Sequence, residues 1–581
     1  MAGITKEELT YEAGKLYLGH THGSEAGIKT ERHAITVAGS RSGKGACVII
    51  PNLLRWPNNV LVIDPKGENA EKTWEARKEM GKAVHIIDPF KEAKVPAEML
   101  AAFNPLADID PTALTAGSDL KVIADGLVKR ADPKHAQWDD GAVKILAGVM
   151  AYVINEAPPD KRTLTAMREV LLQGRDDLYA DAQRMMESEG CDGLAKNAGL
   201  SIMTGFETEK SIEADYLNNA RSHTEWIDMV AFHNVLSHST FDLSDIKTGN
   251  ASVYLVLPPQ YLDTHGAFLR LFVRCAINAM AKGGSGKGEK CLFILDEFYS
   301  LGKIEAIATA SGLMPSYGVQ LWPFLQDLGQ LITLYGKEGS ETFFANADLH
   351  QFFGNTDPLT LEQISARLGV KNSAEIPFPP APPSSAPSAF GQGLSALSMS
   401  SQKGAVRAMG AATGGLISAV TNQAQAAEQA DYQNRMNIYQ RLMAEHGKPR
   451  MSPDEVAMKI RKKDDVVADG MVCFVFGSEP IWLSPAPYFR DLKPQEDGSE
   501  LHLVSSNIFG WKMSNEEFVW SHLGRAIMFS GIGAILGVIL AAAGVFPAPM
   551  EGVGGGIVWM NIIGFVIYRL MTGQWGQFGS K

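Results

Sequence analysis

The chain has 581 residues, 45% hydrophobic and 20% charged, with a formal net charge of -12. That length exceeds one ordinary core and predicts two or more units, while the acidic balance excludes a uniformly basic nucleic-acid coat, though not a locally basic pore lining. Five cysteines (Cys47, Cys191, Cys275, Cys291, Cys473) are far apart and form no C-x-x-C pair, so neither a zinc site nor a disulfide framework is indicated, and a reducing cytoplasm suits the soluble part.

The opening MAGITKEELTYEAGK is polar and charged and does not read as a signal peptide. In 34-AITVAGSRSGKGACVIIPNLL-54, Ile35 and Val37 end a predicted strand, Ala38 to Lys44 make a glycine-rich turn, and a helix follows from Ala46 until Pro51. Strand, glycine-rich turn and helix are the setting a phosphate-binding loop requires. The backbone of Gly39, Ser40, Arg41, Ser42, Gly43, Lys44, Gly45 and Ala46 is the candidate phosphate cradle, aided by the field of the helix N-terminus. Lys44 would reach the β- and γ-phosphates as a point charge. Two positions depart from the usual pattern: Ala38 stands at the first glycine, and Gly45 at the hydroxyl residue that ordinarily ligates magnesium.

Further strands are predicted at 60-VLVID-64, 84-VHIID-88, 252-SVYLVL-257, 291-CLFILD-296, 319-VQLWPFL-325 and 349-LHQFF-353. Continuous apolar strands alternating with helical stretches predict a parallel sheet covered on both faces. Between about Asp108 and Val235 the runs give way to helical patterns such as 141-GAVKILAGVMAYVINEA-157, predicting an all-helical insertion. The run 291-CLFILDEFYSLG-302 ends in two acids. Two carboxylates at a buried strand's end are costly unless a cation or a reaction uses them. They read as a Walker B strand, with Asp296 holding Mg2+ directly or through water and Glu297 polarising the attacking water.

Residues 376–415 are rich in Pro, Ser, Ala and Gly and predict a mobile insertion. The following 423-QAQAAEQADYQNRMNIYQRLMAEHG-447 has strong helix formers and predicts a helix. From Ala526 to Val545 run twenty uncharged residues, enough to span roughly 30 Å of hydrocarbon. A weaker apolar stretch from Gly552 to Met571 carries Asn561 and Arg569; together the two predict a membrane hairpin.

These motifs, with 239-STFDLSDIKTGNASVYLVLPP-259, 317-YGVQLWPFLQDLGQL-331, 362-EQISARLG-369 and 477-GSEPIWLSPAPYFRD-491, resemble the TraG/TraD-like coupling proteins of type IV secretion systems, over roughly residues 15 to 495. The resemblance implies an α/β, RecA-like P-loop motor domain with an inserted all-α domain, here joined to a C-terminal transmembrane helical hairpin. It implies a hexameric ATPase using ATP and Mg2+, whose partners are secretion-channel components and a relaxase–DNA complex or effector proteins docked on the all-α domain. G-K-G is a trait of similar coupling proteins, which leaves Asp296 and ordered water to complete the Mg2+ shell. Gln326 falls where the family has a strand-end glutamine, a candidate γ-phosphate sensor, although such a residue is otherwise often only solvated. Asp64 and Lys66 fall at a second strand end on the same sheet edge, Lys66 having Glu68 or a helix carboxylate as alternative partners. A neighbour's arginine finger is expected of such rings; 313-LMPSYG-318 has no arginine, no residue is assigned the role, and Arg367 is the one candidate named.

The expected layout is 1–107, first part of the nucleotide-binding domain; 108–235, all-α domain; 236–375, its second part; 376–420, flexible insertion; 421–515, helix and return; and 524–571, transmembrane hairpin. The expected location is the bacterial inner membrane as a multi-pass protein with the motor in the cytoplasm. Family members usually carry their membrane helices ahead of the motor, so the C-terminal hairpin is a departure. The rival readings are a septum-translocase-like DNA-pumping ATPase and a nucleotide-binding membrane adaptor without turnover.

Overall fold

The apolar runs become strands that are covered on both sides. In the computed structural model, residues 4–371 are described apart from 22–23, 131–135, 209–210, 283, 287, 305 and 308–311; beyond them, 378, 426, 429–462, 467–494 and 501–503 are described. A hairpin of β1 (Leu16–Thr21) and β2 (Ser24–Ile28) precedes the main sheet. The sheet strands are β3 (His33–Ala38), β4 (Asn59–Asp64), β5 (Ala83–Ile87), β6 (Ala251–Val256), β7 (Cys291–Leu295), β8 (Val319–Leu325), β9 (Ala347–Phe353), β10 (Met471–Val475) and β11 (Ile481–Leu483). Their order is β11-β10-β9-β3-β8-β7-β4-β6-β5.

From β9 to β5 every pairing is parallel, whereas β10 runs antiparallel to both β9 and β11. The sheet is therefore mixed, where the sequence predicts a parallel one. The two extra strands, MVCFV and IWL, come from the far side of the 376–420 region; both are apolar but short, and their antiparallel direction is not written in the runs themselves. Alternation along the parallel strands divides two cores. Ile35, Val37, Leu61 and Ile63 face one, while Ala34, Ala38, Val60 and Val62 face the other.

The longer helices are α1 (Glu68–Glu79), α2 (Ala116–Leu127), α3 (Ala136–Glu156), α4 (Leu164–Leu172), α5 (Arg175–Glu187), α6 (Leu194–Glu207), α7 (Ile212–His223) and α8 (Val230–Leu236). They continue with α9 (Leu262–Lys282), α10 (Leu328–Ala345), α11 (Pro358–Leu368), α12 (residues 429–444) and α13 (Pro453–Ile460). Among the described residues of 108–235 there is no strand. One apolar core nevertheless runs from the sheet (Leu61, Phe293) through α9 (Phe268, Phe272) into this region (Ile145, Leu178, Ile202). Both belong to one compact unit, Met1–Ser506.

The expectation of a multi-pass inner-membrane protein is corrected. Among the described residues no helix is long and apolar enough to cross a membrane. The 21-residue α3 and α9 have the length, but α3 carries Asp139, Asp140 and Lys144, and α9 carries Arg270, Arg274 and Lys282, charges that hydrocarbon penalises heavily. The segments 526–545 and 552–571 lie outside the described residues, as does the insertion 376–420 apart from Phe378.

Candidate active site

The carboxyl ends of β3, β8, β7 and β4 lie side by side on one edge of the sheet. In open α/β sheets this edge, where the chain's direction of winding reverses, is where ligands bind. β3 delivers the glycine-rich turn. Its Gly39 N-H donates to the Phe353 carbonyl (3.2 Å), and a Cβ on Gly39 would stand 2.0 Å from the Gly354 carbonyl oxygen. Only glycine allows the loop to lie this close to the end of β9. Within the turn the buried Ser42 hydroxyl donates to the Gly39 carbonyl (2.6 Å), and Ser40 and Arg41 are exposed at its tip. Arg41 and Gly43 take left-handed backbone angles (φ 56° and 93°), which turn the chain into the helical residues from Lys44 onward.

β7 delivers the acids. Asp296 and Glu297 follow Leu295, and Glu297 adopts a left-handed φ of 49°. Its carboxylate bridges two elements, with Oε1 3.4 Å from Lys44 Nζ and Oε2 accepting from Gln326 Nε2 at 3.2 Å. Lys44 Nζ also lies 3.9 Å from Asp296 Oδ1. Gln326, just past β8, is held by its backbone: its N-H donates to Gln330 Oε1 (2.9 Å), and its carbonyl accepts from Asn355 Nδ2 (3.2 Å). Lys44, Asp296, Glu297 and Gln326 thus come from three strand ends and meet.

Burial pushes the Asp296 carboxyl up, opposed by Lys44 and reinforced by Glu297. Asp64, at the end of the adjacent β4, is pushed up to about 7, chiefly by burial, against backbone N-H groups of Ala70 and Asn69 that favour its charged form. The Asp296 charge on the neighbouring strand end raises Asp64 further, as Glu297 raises Asp296, and such a crowding of acids is what a bound cation relieves. Lys66 is exposed beside them, and its charge favours the ionised Asp296.

The family model described as "Type IV secretory system Conjugative DNA transfer" matches residues 2–374, well over half of the chain. The chain belongs to this family. Similar proteins include a "Probable conjugal transfer protein TraG" of Sinorhizobium fredii (strain NBRC 101917 / NGR234), 28% identical over 346 residues, covering 58% of this chain and 52% of that protein. "Protein VirD4" of Agrobacterium fabrum (strain C58 / ATCC 33970) is 28% identical over 349 residues, covering 58% of this chain and 49% of that protein. The chain thus spans about half the length of the curated relatives it matches. Among solved structures, the bacterial conjugative coupling protein TrwBdeltaN70 is similar with 16% identity and a TM-score of 0.47, covering 62% of this chain and 78% of that one.

For this family member the donor set suits a magnesium ion of the usual kind, which keeps several waters and takes one or two carboxylates plus phosphate oxygens. Among the described residues no group of three or more His, Cys, Asp or Glu side chains forms a metal cage, and a Mg2+ shared with phosphates needs none. A Cβ on Gly45 would meet nothing within 4 Å, so the missing hydroxyl leaves room for water.

Two site features escape sequence reasoning. Asn355, buried and holding the Gln326 carbonyl, follows β9 in a chain stretch whose only visible signal is Gly354-Asn355 after an apolar run. The contact of Gly39 with Gly354 joins residues more than 300 positions apart, and no local pattern announces it. Arg367 behaves otherwise than a finger would. It donates to His350 Nδ1 (2.7 Å) and its guanidinium lies 4.3 Å from the Phe344 ring centroid, inside its own subunit.

Proposed function

We propose that this chain is the ATP-hydrolysing motor of a type IV secretion coupling protein, a RecA-like P-loop NTPase that recruits a relaxase–DNA complex, an effector protein or both and drives transfer through the secretion channel. The observation that carries this reading is Glu297 bridged between Lys44 of the glycine-rich loop and Gln326 at the end of β8. That juxtaposition joins a phosphate clamp, a water-polarising base and a strand-end amide in one cluster. Family membership supports the cargo class.

In this reading the backbone N-H groups of residues 39–46 cradle the phosphates, and Lys44 exchanges Glu297 for the β- and γ-phosphate oxygens. Glu297, freed from the lysine, orients water for in-line attack, and Gln326 senses the γ-phosphate through its link to the same carboxylate. Asp296 would hold Mg2+, directly or through water, and the ion would neutralise charge on the phosphates. We assign the helical region 108–235 to cargo docking, with 1–107 and 236–375 as the two parts of the nucleotide-binding domain. A hexameric ring, in which a neighbour supplies the arginine that Arg367 does not, completes the proposal.

Lys44→Ala should abolish binding of a fluorescent ATP analogue. Glu297→Gln should bind it normally and lose turnover by about 10²- to 10⁴-fold. Turnover of Glu297→Gln at the wild-type rate would remove Glu297 from the mechanism.

A further inference from the structure

Glu297 is followed by a single tight turn, Phe298–Leu301, whose anchorage is unusual. The Ser300 N-H and hydroxyl both donate to the Glu297 carbonyl, at 2.9 and 2.8 Å. The turn's last carbonyl, that of Leu301, accepts from Arg270 Nη1 at 3.0 Å. The same guanidinium donates through Nε to the Gly126 carbonyl (3.0 Å) and through Nη2 to the Leu127 carbonyl (3.1 Å). These are the last two residues of α2, the first long helix of the 108–235 region.

Arg270 is 2% exposed, and its three hydrogen bonds among the described residues all go to backbone carbonyls. Carrying a cation into a core costs several kcal/mol that an apolar side chain in the same helix would avoid. What the guanidinium supplies instead is a rigid planar fork whose three nitrogens each reach a different carbonyl, whereas a lysine ammonium presents all its donors from one nitrogen. The two α2 carbonyls lie at a helix C-terminus, the negative end of its dipole, so they suit a cation. The contact is also close: a Cβ on Gly266, one turn before Arg270 on α9, would stand 2.8 Å from the Ser300 carbonyl oxygen.

We propose that Arg270 is a positioning residue for hydrolysis, fixing the Glu297 turn against the carboxyl end of α2 so that a displacement of the helical region is felt at the water-activating carboxylate. The inference rests on Glu297 acting as the base, as read above. Arg270 touches neither Lys44 nor the glycine-rich loop through any of these bonds. Loss of the fork should therefore disturb chemistry and leave nucleotide binding alone.

The test uses the full chain, ATP, and the variants Arg270→Lys, Glu297→Gln and their combination. Arg270→Lys should bind a fluorescent ATP analogue within about 2-fold of wild type while kcat falls about 10- to 100-fold, the scale of an ångström-level misplacement of a reacting group. In the Glu297→Gln background, Arg270→Lys should lower the residual rate no further. Wild-type kcat in Arg270→Lys, or an additive further loss in the combination, overturns the inference while Glu297 keeps its role. Wild-type turnover in Glu297→Gln overturns the base assignment and this inference with it. Should Arg270→Lys lose the cooperative melting of the wild type, Ser300→Ala takes its place. Lowered kcat at unchanged nucleotide affinity is then expected, and unchanged kcat refutes the link.

Discussion

His350 shows how partners decide the state of a single side chain. Arg367 can only donate, so His350 Nδ1 must accept, and the ring proton sits on Nε2, which donates to the Phe344 carbonyl (2.9 Å). Protonating Nδ1 would break the arginine bond and set two cations side by side. Burial first, then the Arg367 charge, lowers the His350 pKa to about 4. The unfolded chain takes up this proton near the ordinary value of 6.5, before the folded one does. The contribution to stability is therefore whole above about pH 6.5 and is lost as the pH falls towards 4, by about 2–3 kcal/mol. His350→Gln keeps an acceptor and a donor and cannot titrate. Its melting temperature should fall less steeply than that of the wild type between pH 6.5 and 4.5, and parallel slopes would remove His350 from the acid response.

At the scale of elements, the glycine-rich loop is defined as much by what it rests on as by its own residues. Gly39 and Gly45 look alike in the sequence but sit in opposite surroundings. The Cβ of an alanine at 39 would overlap the Gly354 carbonyl oxygen at 2.0 Å, and backbone on both sides leaves little to yield. Gly39→Ala should cost about 1–3 kcal/mol of stability, as overpacking does, and should weaken ATP-analogue binding by about 10-fold or more as the loop is pushed off β9. At position 45 the space is open. Gly45→Ser should leave the melting temperature within about 1 °C of wild type. Thermal melts and analogue titrations of both variants check the contrast, and equal losses at the two positions would contradict it.

For the whole molecule, the ion pairs of Asp296 and Glu297 among the described residues are with a lysine and not an arginine, so the proposed ring would draw its arginine from a neighbour. Lys44 reaches Glu297 and Asp296, while Arg367 is engaged with His350 and the Phe344 ring, and Arg270 with backbone carbonyls. If neighbouring subunits complete each other's sites, ATPase activity per chain should rise with protein concentration until the ring is formed. Activity that stays flat down to monomeric concentrations would mean that one subunit hydrolyses ATP alone.

Much of this was legible along the chain because it depends on local or periodic signals. Strands buried on both faces must be apolar throughout, so β4, β6, β7 and β8 appear as continuous runs such as VLVID and CLFIL. The turn geometry of a phosphate loop demands glycines at fixed spacing, and two acids ending an apolar strand are too costly to be idle. The chain order of these signals was enough to point to the family. The order of strands in space was not, because β3 and β4 are consecutive among the sheet strands yet separated by β8 and β7, which arrive more than 200 residues later. Only that interleaving brings Gln326 to Glu297, seats Gly39 on Gly354, and turns Arg367 inward. The same holds for Arg270, which in sequence is one charge on a helix and in the fold is the tie between two carbonyls of α2 and the turn after Glu297. Composition and periodicity record what each segment must bury; which segments share a burial is settled by packing.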